Sequence, residues 1–434
     1  MHDRSRRAGR VTAVLGARRI RVLGVVQGVG FRPYAYRLAR AHRLVGWVVN
    51  DTRGVEIHVE GSDEAIEGFL RDLPAAAPPA ASIALVEAVE TSIQSSTTFA
   101  IRESRSNAPP TARISPDLPV CDACQRELFD PAERRAGYPY VNCTDCGPRF
   151  SIVHGLPYDR PRTTMAAWPL CSDCEREYHD PGDRRFHAQP VACPACGPRY
   201  RLLASGPLAP VTGSAADPVG EAARLLREGA IVAVKGIGGY HLACDAAQEA
   251  VVAALRERKY RKEQPFAVMV RDIGVACETC ELSPEAEALL TSVARPIVLA
   301  PRRVDLPEVA PENADLGLML PYAPVHHLLF AHGAPPRLVM TSGNRSSEPI
   351  AFEDADVLAR LTGLADAFLV GERPIARRVD DSIARVGAMG PVILRRSRGF
   401  APGVVASLPP AGRFSPSAPI SRTPSRWSWT AWRA

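Results

Sequence analysis

The feature that most constrains this chain is a repeat built around four cysteine pairs. CDACQRELFDPAERRAGYPYVNCTDCGPRFSI begins at Cys121, and CSDCEREYHDPGDRRFHAQPVACPACGPRYRL follows it 50 residues later. Two thiolates three positions apart on a turn can bind one tetrahedral ion, and two such pairs complete a four-cysteine site. The eight candidate ligands are Cys121, Cys124, Cys143, Cys146, Cys171, Cys174, Cys193 and Cys196.

Eight thiolates make two closed sites, which predicts two structural Zn²⁺ ions and not a catalytic one. The repeat favours pairing the first CxxC with the second and the third with the fourth. An interleaved pairing and an iron site both stay compatible with the sequence. Arg18, Arg19 and Arg21 interrupt the only candidate apolar leader, so no signal peptide is predicted, and no apolar run is long enough for a membrane span. Disulfides are therefore disfavoured, because they are rare in the reducing cytoplasm. We therefore expect a cytoplasmic chain with no membrane association.

The composition changes along the 434 residues, which predicts an α+β chain of several domains. We expect a first domain over 17–106, the cysteine module over 107–205, an α/β domain over 206–402 and an irregular tail over 403–434. The net charge of +6 is concentrated at the two ends. This pattern is typical of solvated termini, so neither double-stranded RNA nor DNA is an expected partner.

The first domain contains no cysteine and alternates strands with helices. β-Branched runs bounded by turn signals predict strands at 20–26, 45–50 and 55–60, and helices at 33–42 and 63–73. Interleaved elements with a short hairpin indicate a small ferredoxin-like α+β sandwich.

A glycine-rich loop lies between the first strand and the first helix. Backbone amides near a helix N-terminus can bind an anion, and glycines let the backbone approach it closely. Arg32 follows the loop and can donate a bidentate fork to phosphate oxygens. A plain tight turn is the alternative interpretation. The predicted phosphate-binding residues are Gln27, Gly28, Val29, Gly30 and Phe31.

The segment RIRVLGVVQGVGFRPYAYRLARAHRLVGWVVNDTRGVEIHVEG resembles acylphosphatases over almost its whole length. The resemblance implies that Arg32 binds the phosphoryl group and that Asn50 orients the attacking water. An acyl phosphate has a good leaving group, so positioning and electrostatic stabilisation can suffice for its hydrolysis.

The third domain combines apolar strands with helical patterns. Strands are predicted at 231–234, 266–270, 297–299, 338–340 and 392–394, and helices at 218–228, 248–259, 284–293 and 354–361. The positive cluster of Lys259, Arg261 and Lys262 is suited to a triphosphate, although a solvated helix end would look the same. No Walker A motif is present, so a P-loop nucleotide site is not expected.

Five segments of this domain resemble YrdC-type proteins: KGIGGYHL, RKYRKEQPFAVM, LMLPYAPVHHLLF, MTSGNRSSEPI and ILRRSRG. The resemblance implies a domain that condenses a carbamate-like carboxylate with ATP, the ATP accompanied by Mg²⁺. From the residue chemistry we expect the loop from Lys235 to His241 to close over the carboxylate. The ATP and carbamate ligands are predicted to be Lys235, Tyr240, His241, Lys259, Arg261, Lys262, Thr341, Ser342, Asn344, Arg395 and Arg396.

The order of the three modules resembles the HypF family of hydrogenase-maturation carbamoyltransferases. The resemblance implies hydrolysis of carbamoyl phosphate, formation of carbamoyl adenylate, and transfer to the C-terminal cysteine of a HypE-like acceptor. The tail over 403–434 departs from the further metal-binding domain of that family, so we expect this chain alone to lack the final transfer step. The alternatives are a threonylcarbamoyl-adenylate synthase of tRNA modification and a zinc-repeat protein-binding module.

Overall fold

The structure is a computed structural model that describes residues 15–105, 111–204, 217–345 and 348–403. These residues belong to one compact unit. The tail predicted over 403–434 lies, apart from Gly403, outside the described residues.

The first domain is the predicted ferredoxin-like sandwich. Its five-stranded sheet has the order β4-β1-β3-β2-β5, and both helices pack against it. Its elements are β1 (Leu15–Val25), α1 (Phe31–Ala41), β2 (Val45–Asn50), β3 (Val55–Ser62), α2 (Asp63–Ala75), β4 (Ser82–Glu90) and β5 (Phe99–Ile101). Ile20, Ile57 and Phe69 are fully buried between the two layers, so the apolar face of the sheet forms the core.

The cysteine module has little regular structure. Two short helices, α3 (Asp122–Phe129) and α4 (Ser172–His179), begin directly after Cys121 and Cys171. Two 3₁₀ turns lie at Arg160–Arg162 and Thr164–Ala167. The equivalent helices place equivalent cysteines at their N-termini, which preserves the internal repeat in three dimensions.

A mixed ten-stranded sheet dominates the third domain, in the order β15-β14-β10-β11-β9-β12-β8-β7-β13-β6. Its strands are β6 (Tyr200–Ala204), β7 (Val232–Lys235), β8 (Tyr240–Asp245), β9 (Ala267–Val270), β10 (Ile297–Pro301), β11 (Asp315–Met319), β12 (Arg337–Ser342), β13 (Ala367–Gly371), β14 (Ile383–Gly387) and β15 (Gly390–Arg395). Its helices are α5 (Pro218–Arg227), α6 (Glu249–Arg258), α7 (Ile273–Thr279), α8 (Pro284–Thr291), α9 (Pro324–Ala331) and α10 (Asp354–Leu361). Hydrophobic clusters cover its central strands.

The segment from Lys235 to His241, predicted as a loop, is mostly a hairpin. β7 ends at Lys235 and β8 begins at Tyr240, and the two strands pair antiparallel. Only the turn 236–239 lies between them, so the prediction of a seven-residue closing loop was wrong. The glycines of this turn favoured a loop prediction that extended into β8. Tyr240 and Leu242 of that strand are fully buried. Among the described residues, no helix is long and apolar enough to cross a membrane.

Candidate functional site

The glycine-rich loop joins β1 to α1 and forms one wall of a small pocket. Gly28 and Gly30 both have φ = 73°, a left-handed conformation that favours glycine. Gly30 is the N-cap of α1, so the loop leads into helix amides that have no intrahelical acceptor. Arg32 and Asn50 line the same pocket. The fold therefore brings together the three parts of the predicted phosphate site.

Arg32 is 8% exposed and both ends of its guanidinium have partners. Nη1 donates to Ser104 Oγ at 3.2 Å, and Nη2 donates to Asp159 Oδ1 at 2.9 Å. Asp159 belongs to the cysteine module, 127 residues further along the chain. This carboxylate was not predicted from the sequence, since no motif connects the two positions.

Asn50 lies at the end of β2 and is 1% exposed. Its side-chain oxygen Oδ1 has no hydrogen-bond partner among the described residues. A buried acceptor without a partner costs free energy unless a water or ligand binds it. Asn50 Oδ1 is therefore a candidate water-binding atom beside Arg32.

The remaining loop residues hold the backbone in place. Gln27 Nε2 donates to the carbonyls of Asp51 and Gly54 at 2.7 and 2.8 Å, and Gln27 Oε1 accepts from the Tyr158 amide at 3.0 Å. Val29 and Phe31 are each 1% exposed and pack into the domain core. Their expected contribution to anion binding is consequently through backbone amides.

The eight paired cysteines form two clusters, one in each repeat. Cys121, Cys124, Cys143 and Cys146 make the first cluster; Cys171, Cys174, Cys193 and Cys196 make the second. The repeat-wise pairing favoured by the sequence is confirmed, and the interleaved pairing is wrong. Sulfur–sulfur distances such as 3.7 Å between Cys121 and Cys143 match the roughly 3.8 Å expected around a tetrahedral zinc with Zn–S bonds of about 2.3 Å. Both clusters fit structural zinc.

Arginines from each repeat donate to a thiolate of the other repeat. Arg135 Nη2 donates to Cys174 Sγ at 3.2 Å, and Arg184 Nη1 donates to Cys124 Sγ at 2.9 Å. Glu177 pairs with Arg135 at 2.5 Å, while the equivalent Glu127 pairs with Arg184 and Arg185. This reciprocal bracing was not predicted, although the same Glu and Arg-Arg positions recur in both repeats.

A cleft of the third domain lies beside β9, β10 and β12 and has a volume of about 400 Å³. Arg261, Thr341, Ser342 and Arg395 line it, together with the unpredicted Asp380 and Asp381. The fold thus brings together four of the predicted nucleotide ligands from three distant segments.

Lys259 lies beside this cleft and is 1% exposed. Its ammonium donates to the carbonyls of Ser342 and Asn344 at 2.7 and 2.6 Å, and also to Asn344 Oδ1. Burial lowers the pKa of Lys259 to about 7, and the nearby Arg261 guanidinium lowers it in the same direction. This lysine can therefore change its charge near neutral pH.

Lys235 and Tyr240 form a separate buried group around one carboxylate. Lys235 Nζ lies 2.5 Å from Asp354 Oδ1, and the Tyr240 hydroxyl donates to the same oxygen at 2.7 Å. Burial lowers the pKa of Lys235, and Asp354 acts in the opposite direction. Neither residue lines the cleft around Arg261.

His241 connects the hairpin to the cleft through Asp381. Its Nε2 lies 2.8 Å from Asp381 Oδ2, and Arg398 Nε donates to Asp381 Oδ1 at 2.7 Å. Burial acts to raise the pKa of Asp381, but Arg398 and His241 together hold it well below its usual range. Arg398 lies inside the segment ILRRSRG that the sequence analysis selected, yet only its neighbours were predicted as ligands.

Lys262 and Arg396 also lie outside the lining of the cleft. Lys262 is exposed, and Arg396 is exposed with its guanidinium donating to the Phe400 carbonyl at 3.0 Å. Long basic side chains at a surface are typically mobile, so their part in nucleotide binding stays a prediction.

Three known protein families match this chain, one for each module. The acylphosphatase family matches residues 18–101, the HypF finger matches 120–153 and 170–203, and the Sua5/YciO/YrdC family, described as telomere recombination, matches 224–397. Fold and sites together define a three-module protein: an acylphosphatase-like domain, a double zinc finger and a YrdC-like domain.

Relatives that match most of this chain are named carbamoyltransferase HypF. Carbamoyltransferase HypF from Synechocystis sp. is 47% identical over 386 residues, covering 88% of this chain and 50% of the relative. Carbamoyltransferase HypF from Rhizobium leguminosarum bv. viciae is 49% identical over 88% of this chain and 49% of its own length. The chain belongs to the HypF family, and it spans about half the length of the curated relatives it matches.

Two solved structures agree with this assignment. A full-length HypF in a phosphate- and nucleotide-bound form superposes with a TM-score of 0.85 at 44% identity, covering 89% of this chain and 51% of that one. The T. kodakarensis HypF gives a TM-score of 0.82 at 45% identity, covering 89% and 50%.

Proposed function

We propose that this chain hydrolyses carbamoyl phosphate in its first domain and activates the released carbamate with ATP in its third. The observation that carries the proposal is the pocket formed by the glycine-rich loop, Arg32 and the unpartnered Asn50 Oδ1. An anion-binding loop beside a free buried acceptor is what hydrolysis of a phosphate with a good leaving group requires.

In the hydrolysis step, the loop amides and Arg32 bind the phosphoryl oxygens. Asn50 Oδ1 accepts a hydrogen bond from a water and holds it for attack on phosphorus. The bond between phosphorus and the acyl oxygen breaks, and carbamate and inorganic phosphate leave. Asp159 also binds Arg32, so it must share the guanidinium with the phosphate.

In the adenylation step, ATP enters the cleft lined by Arg261, Ser342 and Arg395 as its magnesium complex. Lys259 and Arg261 neutralise the phosphates as negative charge shifts toward the leaving group. A carbamate oxygen bonds to the α-phosphorus and pyrophosphate leaves, which gives carbamoyl adenylate. Lys235, Tyr240 and His241 lie on the β7–β8 hairpin, and they are the proposed ligands of the small carboxylate.

The acceptor of the carbamoyl group would be the C-terminal cysteine of a HypE-like protein, in the maturation of a nickel–iron hydrogenase. The matched residues cover about half of each relative, so this final transfer is proposed for whole HypF proteins. Thiolate ligation by eight reduced cysteines is suited to a reducing, cytoplasmic compartment.

The test is exchange of labelled pyrophosphate into ATP by the purified chain. We expect exchange only when carbamoyl phosphate is added, because carbamate must first be released. Exchange supported by threonine with bicarbonate would instead favour threonylcarbamoyl-adenylate synthesis. Absence of exchange with either substrate set, in a chain that retains its zinc, would contradict the proposal.

A further inference from the structure

The pocket of the acylphosphatase-like domain is closed by the cysteine module. Its lining comes from both: the loop residues, Arg32 and Asn50 on one side, and Thr144, Arg149, Tyr158, His187 and Gln189 on the other. Contact is close, because a Cβ added to Gly28 would lie 3.3 Å from the Tyr158 ring and 3.1 Å from Arg149 Cδ. We call these lining residues of the cysteine module the wall, and the wall contacts the phosphate loop directly.

Hydrogen bonds fix this wall to the loop. The Tyr158 amide donates to Gln27 Oε1 at 3.0 Å, and Arg149 Nε donates to the Gly28 carbonyl. Behind Tyr158, Arg160 donates to the carbonyls of Gln189 and Trp168 at 2.7 and 2.6 Å. The wall is therefore hydrogen-bonded to the phosphate loop on one side and to the rest of the cysteine module on the other, which fixes its position at the pocket.

Two side chains of the wall, Tyr158 and His187, offer an apolar or uncharged surface. Tyr158 is 3% exposed and its hydroxyl has no hydrogen-bond partner among the described residues. Burial and, to a smaller extent, the nearby Arg32 guanidinium lower the pKa of His187 to about 3, so the imidazole is neutral above about pH 4. His187 is not a cation that could compete with Arg32 for phosphate.

Because the loop amides and Arg32 take the phosphoryl end of a substrate, its acyl end must project toward the opposite wall. We propose that Tyr158 and His187 of the cysteine module are specificity-determining residues that restrict this site to acyl phosphates with very small acyl groups. The inference rests on the proposed hydrolysis at Arg32 and Asn50, and it adds a role for the cysteine module beyond holding zinc.

The experiment compares carbamoyl phosphate with benzoyl phosphate, whose acyl group carries an aromatic ring, as substrates of the full chain. His187 has φ = 56°, a conformation that favours glycine, so His187→Gly removes the side chain without backbone strain. We expect its kcat/KM for benzoyl phosphate to rise about tenfold or more over wild type, with no parallel rise for carbamoyl phosphate. Tyr158→Leu, which removes a hydroxyl without a hydrogen-bond partner among the described residues, should act in the same direction.

His154→Ala is the matched control, since His154 is an exposed histidine of the same module outside the pocket. Its preference between the two substrates should equal that of wild type, and zinc content measured on every variant identifies misfolding. Equal use of both substrates by wild type, or unchanged preference in both wall variants with full zinc content, would overturn the inference. Failure of wild type to hydrolyse either substrate would instead contradict the proposed function.

Discussion

Glu127 is the carboxylate on which the bracing between the two zinc clusters most depends. Its side chain is 6% exposed and accepts from Arg184 and from Arg185, whose side chain is 5% exposed. Arg135 lies 3.5 Å from its other oxygen. Glu127→Gln keeps the shape but removes the charge, which leaves the buried Arg185 without an ion-pair partner within 4 Å among the described residues.

Breaking a buried ion pair by removing one partner costs about 3–5 kcal/mol, because the remaining charge stays desolvated. Arg184 is 30% exposed and can turn toward water, so we take the lower end, about 3 kcal/mol. With an m-value of about 1–3 kcal/mol/M in urea, the midpoint for unfolding of the module should fall by about 1–3 M.

Zinc release to a chromogenic chelator during urea titration reports on this module alone, whichever way the other domains unfold. Asp173→Asn is the control, because Asp173 pairs with Arg176 at an exposed surface and such pairs contribute less than about 1 kcal/mol. If Glu127→Gln lowered the midpoint no more than Asp173→Asn, the bracing would not stabilise the module.

Three further predictions concern the proposed sites. Arg32→Ala and Asn50→Ala should each lower the rate of carbamoyl phosphate hydrolysis, measured as phosphate release, about 10²–10³-fold. Arg71→Ala, at an exposed position, should match wild type. Near-normal rates in both pocket variants would refute the site. Since Lys259 has a pKa of about 7 and a bound triphosphate favours its charged form, ATP binding at pH 8 should take up a proton, and at pH 5.5, where the lysine is already charged, it should not. Calorimetry in buffers of different ionisation enthalpy measures this uptake, and uptake that is equal at both pH values would exclude Lys259 as its source. Elemental analysis should find two zinc ions per chain, and Cys121→Ser should lose about one of them; iron in place of zinc would contradict the assignment.

The sequence predicted local features well where a short pattern determines them. Each CxxC pair, the glycine turn before α1 and the strands β2 and β3 depend on neighbouring residues, and the structure places them as expected. The third domain was less predictable. Strands β6, β11, β13 and β14 were missed, because they are short and their apolar runs do not differ clearly from buried helix, and β8 was missed behind the glycines that precede it.

Contacts between distant segments could not be predicted. Arg32 meets Asp159, Lys235 meets Asp354, and His241 meets Asp381 across more than 100 residues each. No spacing rule connects such partners, so the carboxylates that position the predicted cations were absent from the expected site. The paired Glu and Arg residues of the zinc repeats are the exception, since their recurrence was visible in the sequence.

Strand β6 begins four residues after Cys196 and pairs antiparallel with β13 at the edge of the ten-stranded sheet. The last stretch of the zinc repeat is therefore also a structural part of the neighbouring domain. Gene fusion usually joins domains through a spacer, and such domains can later be exchanged as units. Here a recombination event placed between the finger and the YrdC-like domain would remove an edge strand from the sheet. The two modules are consequently expected to be inherited together, and a fragment ending at the last cysteine would expose the backbone of β13 to pairing with other chains.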